Sequence, residues 1–447
     1  MRKLFGTDGI RGRVGDDLTL ELVTDIGRAV ATASREGILG PRVEHPRFVI
    51  GRDTRSSGPQ VEDAFIEGAM RAGADVARTA ILPTGGIAYL TGLLGFDAGV
   101  VVSASHNPPS DNGIKVFGPG GWKLEPGAED AIESLVRQPA APSSGPIGER
   151  FEVADAEDSY ITHLTTAAEH DVAGLEIVVD CANGAASPIA PVVFDRLGIT
   201  AMVMNAETDG SNINDGCGAL HPEVVQREAK SRGVIGITFD GDADRVILSD
   251  EDGRLVGGDA ILALLGSSMR SEGLLMHDTI VATVMANEAL RRWCASEQLS
   301  LIETPVGDRY VLEAMRKKGA VLGGEQSGHI ICLDRSTTGD GILVALRILD
   351  VVATSGKRLA DLVPFQPFPQ VLVNVRTEER RDVAHHDGVR AAVERAEAEL
   401  GSCGRVLIRA SGTEPLVRVM VEAEDETLAH DVADHLATAV RVALEGA

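Results

Sequence analysis

The chain has 447 residues, 44% of them hydrophobic, and a formal net charge of -25. That length exceeds what a single core organises and predicts roughly three or four domains of about 150 residues each. The charge excludes nucleic acid and anionic membrane as partners, since both select basic surface.

An anionic small molecule fits only where local arginine and lysine overcome the acidic background. The Met1–Gly9 stretch lacks the apolar core of a signal peptide, and no apolar run approaches the length of a membrane span. Cys181, Cys217, Cys294, Cys332 and Cys403 are scattered and form no Cys-x-x-Cys pair. That pattern predicts free thiols in a reducing cytoplasm.

Strand-like runs alternate with helical ones from the start. Phe48–Ile50 reads as a strand, Pro59–Ala72 as a helix, Val76–Ile81 as a strand, Ile87–Leu94 as a helix and Val100–Val102 as a strand. The order recurs over Ile177–Val179, Val193–Leu197, Ala201–Met204, Glu223–Arg232 and Ile235–Phe239. It returns a third time over Ile280–Ala282, Glu288–Cys294, Leu301–Ile302, Tyr310–Lys317 and Ala320–Leu322. Pro83-Thr-Gly-Gly86 in the first copy also matches Thr304-Pro-Val-Gly307 in the third.

Each copy ends in a glycine, a strand and a polar loop that returns into another strand. The spacing is six residues from Gly99 to Ser105, seven from Gly233 to Asp240 and six from Gly319 to Glu325. After linkers at Gln138–Pro146 and Pro364–Pro369 comes a different unit. It reads as a strand at Gln370–Val375, a helix at Val389–Leu400, strand-loop-strand over Arg405–Val421, and a final helix. The fold class is therefore α/β: three related α/β domains with mixed sheets, followed by a smaller α+β domain.

The loops differ in chemistry. Ser105 lies in Ser103-Ala-Ser-His-Asn-Pro108, and Asn112-Gly113 reads as a hairpin turn that would bring Lys115 back toward it. A serine needs a base or a cation to act as a nucleophile; by itself this loop also reads as an ordinary hydrogen-bonded turn. Asp240, Asp242 and Asp244 follow a buried strand at alternate positions and repel unless neutralised. Oxygen-only ligands favour a hard cation. An EF-hand, with Glu251 at its twelfth position, is disfavoured because Arg245 stands where that loop requires glycine. The Glu325/Ser327/His329 loop alternates polar and small residues, as a strand with one wet face also would. In the last domain Arg409-Ala-Ser411-Gly412-Thr413-Glu-Pro415 and Arg418 supply what a phosphate needs, without a Walker lysine.

Together these four motifs resemble the α-D-phosphohexomutase superfamily across the whole chain. Within it the chain most resembles the bacterial phosphoglucosamine mutase family, through Phe5-Gly-Thr-Asp-Gly-Ile-Arg-Gly12, Gln326, Asn212-Ile-Asn214 before Cys217-Gly218, and Thr304-Pro-Val-Gly-Asp-Arg-Tyr-Val311. The resemblance implies a heart-shaped molecule with a central cleft. Its domains would run 1–153 (phosphoserine loop), 154–254 (metal), 255–366 (sugar) and 367–447 (phosphate). It implies that Ser105 is carried as phosphoserine and that one Mg²⁺ per chain is held by Ser105, Asp240, Asp242 and Asp244. Lys115, Arg11 and Arg245 match positions that assist phosphoryl transfer, with Lys115 and His329 as candidate acid/base groups.

The resemblance further assigns substrate binding to Gly307, Asp308, Glu325, Ser327, His329, Arg409, Ser411, Gly412, Thr413 and Arg418. Asp308 has a competing role as N-cap of the Tyr310–Lys317 helix. The implied reaction interconverts glucosamine 6-phosphate and glucosamine 1-phosphate, with glucosamine 1,6-bisphosphate as intermediate and candidate activator, and feeds UDP-N-acetylglucosamine and cell-wall synthesis. The alternative is a phosphomannomutase/phosphoglucomutase acting on neutral hexose phosphates. The partner expected is a small-molecule sugar phosphate, with a homodimer left open.

Overall fold

A computed structural model describes residues 4–139, 146–377, 385–410 and 416–445. The chain divides into two compact units. One comprises Met1–Met285 and Leu299–Pro364, the other Ala286–Gln298 and Phe365–Ala447.

The first unit repeats one sheet plan three times. The strands Arg47–Arg52, Asp75–Ile81 and Ala98–Val102 are parallel, with the first in the middle, and Asp111–Gly118 returns antiparallel beside the third. Glu176–Asp180, Thr200–Met204, Ile235–Phe239 and Val246–Ser249 follow the same order and directions. So do Thr279–Thr283, Ser300–Thr304, Leu322–Gly324 and Ile330–Cys332. Parallel strands need crossovers, and the alternating helices provide them. Because both faces are covered, the central strands read as continuous apolar runs: every residue of Ala98–Val102 and of Ile235–Phe239 is buried.

Each functional loop therefore leaves the same point of the frame, the connection from the third parallel strand to its antiparallel neighbour. Gly233 (φ 66°) and Gly319 (φ 68°) end their helices in the left-handed conformation, as the pattern predicts. In the first copy Gly99 does not: it lies inside its strand, and the left-handed glycine after the helix is Gly95, φ 63°. The third copy's last parallel strand also begins two residues later than expected, at Leu322 rather than Ala320.

The Asn112-Gly113 hairpin is overturned. Both residues lie within the Asp111–Gly118 strand, where Gly113 pairs with Arg11 and Asn112 with Gly12 of an N-terminal strand, Ile10–Arg13. Those partners hold the dipeptide extended, and the turn comes earlier, over residues 103–110. Gly9 (φ 85°) enters this pairing so closely that a Cβ would lie 2.5 Å from the Ile114 carbonyl oxygen.

The second unit is a three-stranded antiparallel sheet with Leu416–Ala423 between Gln370–Arg376 and Gly404–Ala410. The Asp387–Leu400 and Glu426–Glu445 helices supply its core through Val389, Leu400, Val432, Leu436 and Val440. The Glu288–Ser296 helix, read from the sequence as part of the third repeat, belongs to this unit. There the Glu288 N–H donates to buried Glu422 at 2.8 Å, and the Asn287 amide donates to the Phe368 carbonyl at 3.1 Å. No described helix is long and apolar enough to cross a membrane.

Candidate active site

Ser105 follows the Ala98–Val102 strand in a left-handed backbone conformation (φ 52°), unusual for a residue with a side chain. Its hydroxyl is fully buried and donates to Asp240 Oδ2 at 2.5 Å, with His106 Nδ1 at 3.2 Å. Burial, then Arg245 and Arg11, push the His106 imidazole down to about 4, so it faces the serine as a neutral ring.

Asp240, Asp242 and Asp244 are all buried and each offers an oxygen within 4.8 Å of the others'. Burial, reinforced by Asp244 and Asp242, raises the Asp240 carboxyl well above the ordinary range. Asp244 is also penalised by burial, but the Lys115 ammonium outweighs that and holds it well below. Thr84 donates its hydroxyl to Asp242 Oδ2 at 2.7 Å, and Arg245 donates its N–H to Asp240 Oδ1 at 3.2 Å. Asp242 Oδ1 and Asp244 Oδ1 are buried without a hydrogen-bond partner among the described residues. Buried, hydrogen-bond-starved carboxylate oxygens in an oxygen-only set fit a hard divalent cation. Glu251 belongs elsewhere: it accepts the Leu359 and Ala360 N–H groups at 2.8 and 3.0 Å.

Lys115 does return to the serine loop, carried by strand register: it stands opposite Val101 on the antiparallel neighbour. Its buried ammonium lies 2.6 Å from Asp244, 2.7 Å from Asp242 and 2.9 Å from Asp8. Burial disfavours the charge, but these three carboxylates override it and raise the lysine well above its ordinary value. Arg11 reaches the same cluster through an ion pair with Asp8.

The third loop closes on itself: Glu325 N–H donates to the His329 carbonyl and Gly328 N–H to the Glu325 carbonyl, both at 3.0 Å. Glu325, Gln326 and Ser327 are half-buried. His329 is buried, with Nδ1 3.7 Å from Asp244 and Nε2 3.8 Å from Asp308. Burial lowers its pKa, but Asp244 and then Asp308 raise it above 6.5 overall.

The N-cap role of Asp308 is overturned. Gly307 is the cap, and Asp308 is the first helical residue with its carboxylate turned to the Lys123 ammonium. Gly307 donates its N–H to Glu325 Oε1 at 3.1 Å. Lys123 also bonds Asp8 Oδ1 at 2.9 Å, so Asp8 is shared among Lys115, Lys123 and Arg11.

Ser105, Lys115, Arg11, Asp240, Asp242, Asp244, Arg245, Gly307, Asp308, Glu325 and His329 are thus linked through direct contacts in one network. Asp8, Thr84 and Lys123 also belong to it, beyond the residues that the sequence motifs point to. Asp8 lies inside the Phe5–Gly12 motif and Thr84 inside Pro83–Gly86, and nothing local marks Lys123. Arg409 and Arg418 stand opposite each other in antiparallel register in the second unit. Burial, then Arg418, lowers the Arg409 pKa, as two cations facing each other repel. Ser411, Gly412 and Thr413 lie outside the described residues.

Four family models match the chain in order. They are phosphoglucomutase/phosphomannomutase alpha/beta/alpha domains I, II and III over residues 2–142, 158–253 and 257–368, and the C-terminal domain over 372–439. A relative from Salinispora arenicola named phosphoglucosamine mutase is 47% identical over 450 residues, 99% of each chain. Another of that name, from Carboxydothermus hydrogenoformans, is 45% identical over 442 residues, 98% of each. Among solved structures, a phosphoglucomutase/phosphomannomutase family protein from Burkholderia thailandensis superposes with a TM-score of 0.81 at 25% identity, covering 99% of this chain and 98% of that one. An Aspergillus fumigatus N-acetylphosphoglucosamine mutase, solved with GlcNAc-6P and magnesium, shares the fold with a TM-score of 0.72 at 21% identity, covering 99% and 96%.

Proposed function

This chain belongs to the phosphoglucomutase/phosphomannomutase family, and we propose that it interconverts glucosamine 6-phosphate and glucosamine 1-phosphate. The observation that carries the chemistry is the Ser105 hydroxyl against the carboxylate cluster, with Lys115 bridging Asp242 and Asp244. Relatives of one name at 45–47% identity over the whole chain favour the amino sugar over neutral hexose phosphates.

In this reading Ser105 carries the phosphoryl group. The sugar O1 hydroxyl attacks phosphorus, the bond to Ser105 Oγ breaks, and glucosamine 1,6-bisphosphate results. The intermediate turns over, and its 6-phosphate passes back to Ser105. Such transfers depend mainly on positioning and charge neutralisation. Lys115, held protonated by its three carboxylates, suits the role of acid toward the departing serine oxygen. His329 is then assigned the proton of the sugar hydroxyl. Arg11 and Arg245 offset charge on the moving group, and Gly307, Asp308, Glu325 and Ser327 read the sugar. Mg²⁺, held by Asp240, Asp242, Asp244 and the Ser105 phosphate, would neutralise phosphoryl oxygens. The reaction belongs in the cytoplasm, where sugar phosphates are supplied.

Arg409 and Arg418, with Ser411, Gly412 and Thr413, are assigned the phosphate that is not reacting. Arg418→Ala tests this: both isomers should bind about ten- to a hundredfold more weakly, the loss of one charge-assisted contact. A loss confined to one isomer would contradict a shared clamp. The reaction itself is tested by supplying each glucosamine phosphate and measuring conversion to the other against glucose and mannose phosphates. Preference for a neutral hexose would replace this reading with the alternative.

A further inference from the structure

Behind the reacting groups, two side chains converge on the same carbonyl oxygens of the serine loop. Arg55 is fully buried, and its guanidinium is spread over one acidic partner and four carbonyls. Nε donates to Asp53 Oδ2 at 2.9 Å, and Nη2 donates to the carbonyls of Ser105 at 2.9 Å and Asn107 at 2.8 Å. Nη1 donates to the carbonyls of Asp111 at 2.9 Å and of Pro108. From the second α/β repeat, Asn214 Nδ2 reaches the same Ser105 and Asn107 carbonyls at 2.9 and 3.2 Å. Ser103 completes the frame: its hydroxyl donates to Asp53 Oδ2 at 2.6 Å and accepts the Ser105 N–H at 2.9 Å. The carboxylate loop closes on the same spot, since a Cβ on Gly241 would lie 2.6 Å from the Ser105 carbonyl oxygen.

A guanidinium is costly to bury unless its donors are satisfied. Here the donors of both terminal nitrogens go to carbonyls of one loop, more than a tie between surface and core requires. A left-handed backbone at a residue with a side chain persists only where its surroundings over-determine it, and Ser105 is such a residue. None of these contacts involves Ser105 Oγ. They fix the backbone that aims it.

We propose that Arg55, backed by Asp53 and Ser103, and Asn214 are positioning residues. They lock the Ser105 backbone from two repeats of the fold and hold its hydroxyl in line with the carboxylate loop. The inference rests on Ser105 being the phosphate carrier. It also gives the Asn212-Ile-Asn214 motif a role, which is to register the serine loop against the repeat that carries the carboxylates.

Asn214 itself is left-handed (φ 60°), so Asn214→Gly removes the amide without straining the backbone. Asn214→Asp keeps the shape but sets a carboxylate against two carbonyl oxygens. Both leave the buried guanidinium in place, whereas Arg55→Lys risks the fold. The measurements are kcat and KM for glucosamine 6-phosphate, thermal midpoint, and the phosphorus NMR resonance of the phosphorylated enzyme. Misaiming a reacting group by about an ångström costs up to roughly a hundredfold. Asn214→Gly should therefore lose about tenfold in kcat and Asn214→Asp about a hundredfold. KM should be unchanged, and the phosphoserine resonance should shift or broaden. Ser103→Ala should lower kcat in the same way.

Wild-type kcat and resonance in folded Asn214 variants would overturn the proposal, as would a kcat that falls only with the folded fraction. An active wild type carrying phosphate on Ser105 beside unaffected variants removes only the positioning role. A wild type that never carries phosphate there removes the mutase reading and this inference with it.

Discussion

The serine loop and the glutamate loop leave equivalent points of the same four-strand frame, yet different kinds of group hold them. Residues 103–110 have a strained turn fixed by partners far away in sequence: Arg55, Asn214 and, through the Ser105 hydroxyl, Asp240. The Glu325–His329 turn is closed by its own backbone and held from outside by backbone donors, Gly258 N–H on the Gln326 carbonyl and Val246 N–H on the Gly328 carbonyl, both at 3.1 Å, with Glu325, Gln326 and Ser327 half-exposed. The difference follows from what each is proposed to meet. A group that transfers phosphoryl must be aimed before the substrate arrives, so its ordering is completed during folding. A loop that reads sugar hydroxyls needs open polar side chains, and bracing through backbone carbonyls leaves them open. The carboxylate loop resembles the glutamate loop in this respect: Ala243 N–H bonds the Asp240 carbonyl at 3.0 Å, and Gly341 N–H reaches the Ala243 carbonyl from outside at 2.8 Å.

The contrast breaks most visibly at Ser105. Ser105→Ala should remove turnover by at least about a thousandfold, because the variant has no hydroxyl at the position proposed to carry the phosphoryl group. Thermal stability should hardly move, since backbone contacts fix the loop. Near-normal activity would shift the carrier to Ser103 and end the distinction between the loops.

Next comes the carboxylate loop. A chelator should stop turnover, and added Mg²⁺ should restore it. Asp242→Ala should lose about a hundredfold or more and should not respond to metal, since it deletes a ligand and strands Lys115 and Thr84. Full activity of the wild type in chelator would rule out the metal.

A smaller effect is expected at the third loop. Glu325→Gln should weaken sugar phosphate binding by about tenfold, the range of one hydrogen bond to a charged group. kcat and stability should change little, because the turn does not depend on the carboxylate. A large fall in kcat with unchanged KM would show that this loop, too, is part of the aiming machinery.

The smallest effect is one of stability alone. Asp340, buried, accepts the Tyr160 hydroxyl at 2.8 Å and the Leu343 N–H at 3.1 Å, and burial lifts its pKa to about 6. Between the unfolded value near 3.8 and about 6 the folded state binds more protons than the unfolded one. Stability should therefore fall across that window as pH rises, by on the order of 2–3 kcal/mol. Asp340→Asn should flatten this part of the pH profile in denaturant unfolding. A wild-type slope in that variant would assign the titration elsewhere.

Much of the fold is legible in the sequence because its signals are local. Ile235–Phe239 is an unbroken apolar run, Gly233 ends the helix before it, and Glu223–Arg232 shows helical spacing. The three loops are legible because polar residues interrupt such runs at the same point. What escapes is decided at long range. Asn112-Gly113 has the composition of a turn, but pairing with residues 11 and 12 makes it strand. Ile10–Arg13 is too short to announce itself without that partner. Asp308 has the chemistry of a cap, but the Lys123 ammonium draws its carboxylate away. The contacts of Asp8 with Lys115, of Thr84 with Asp242 and of Lys123 with Asp308 each span more than a hundred positions, and no spacing rule reports such contacts.

The most direct test of the central claim is the mass of the intact purified protein, with the modified peptide located by fragmentation. After incubation with glucosamine 1,6-bisphosphate and Mg²⁺, one phosphate is predicted, on Ser105, and after removal of the bisphosphate, adding glucosamine 6-phosphate should discharge it as glucosamine 1,6-bisphosphate. A chain that stays unmodified at Ser105, or carries a phosphate there that no sugar phosphate removes, would contradict the account.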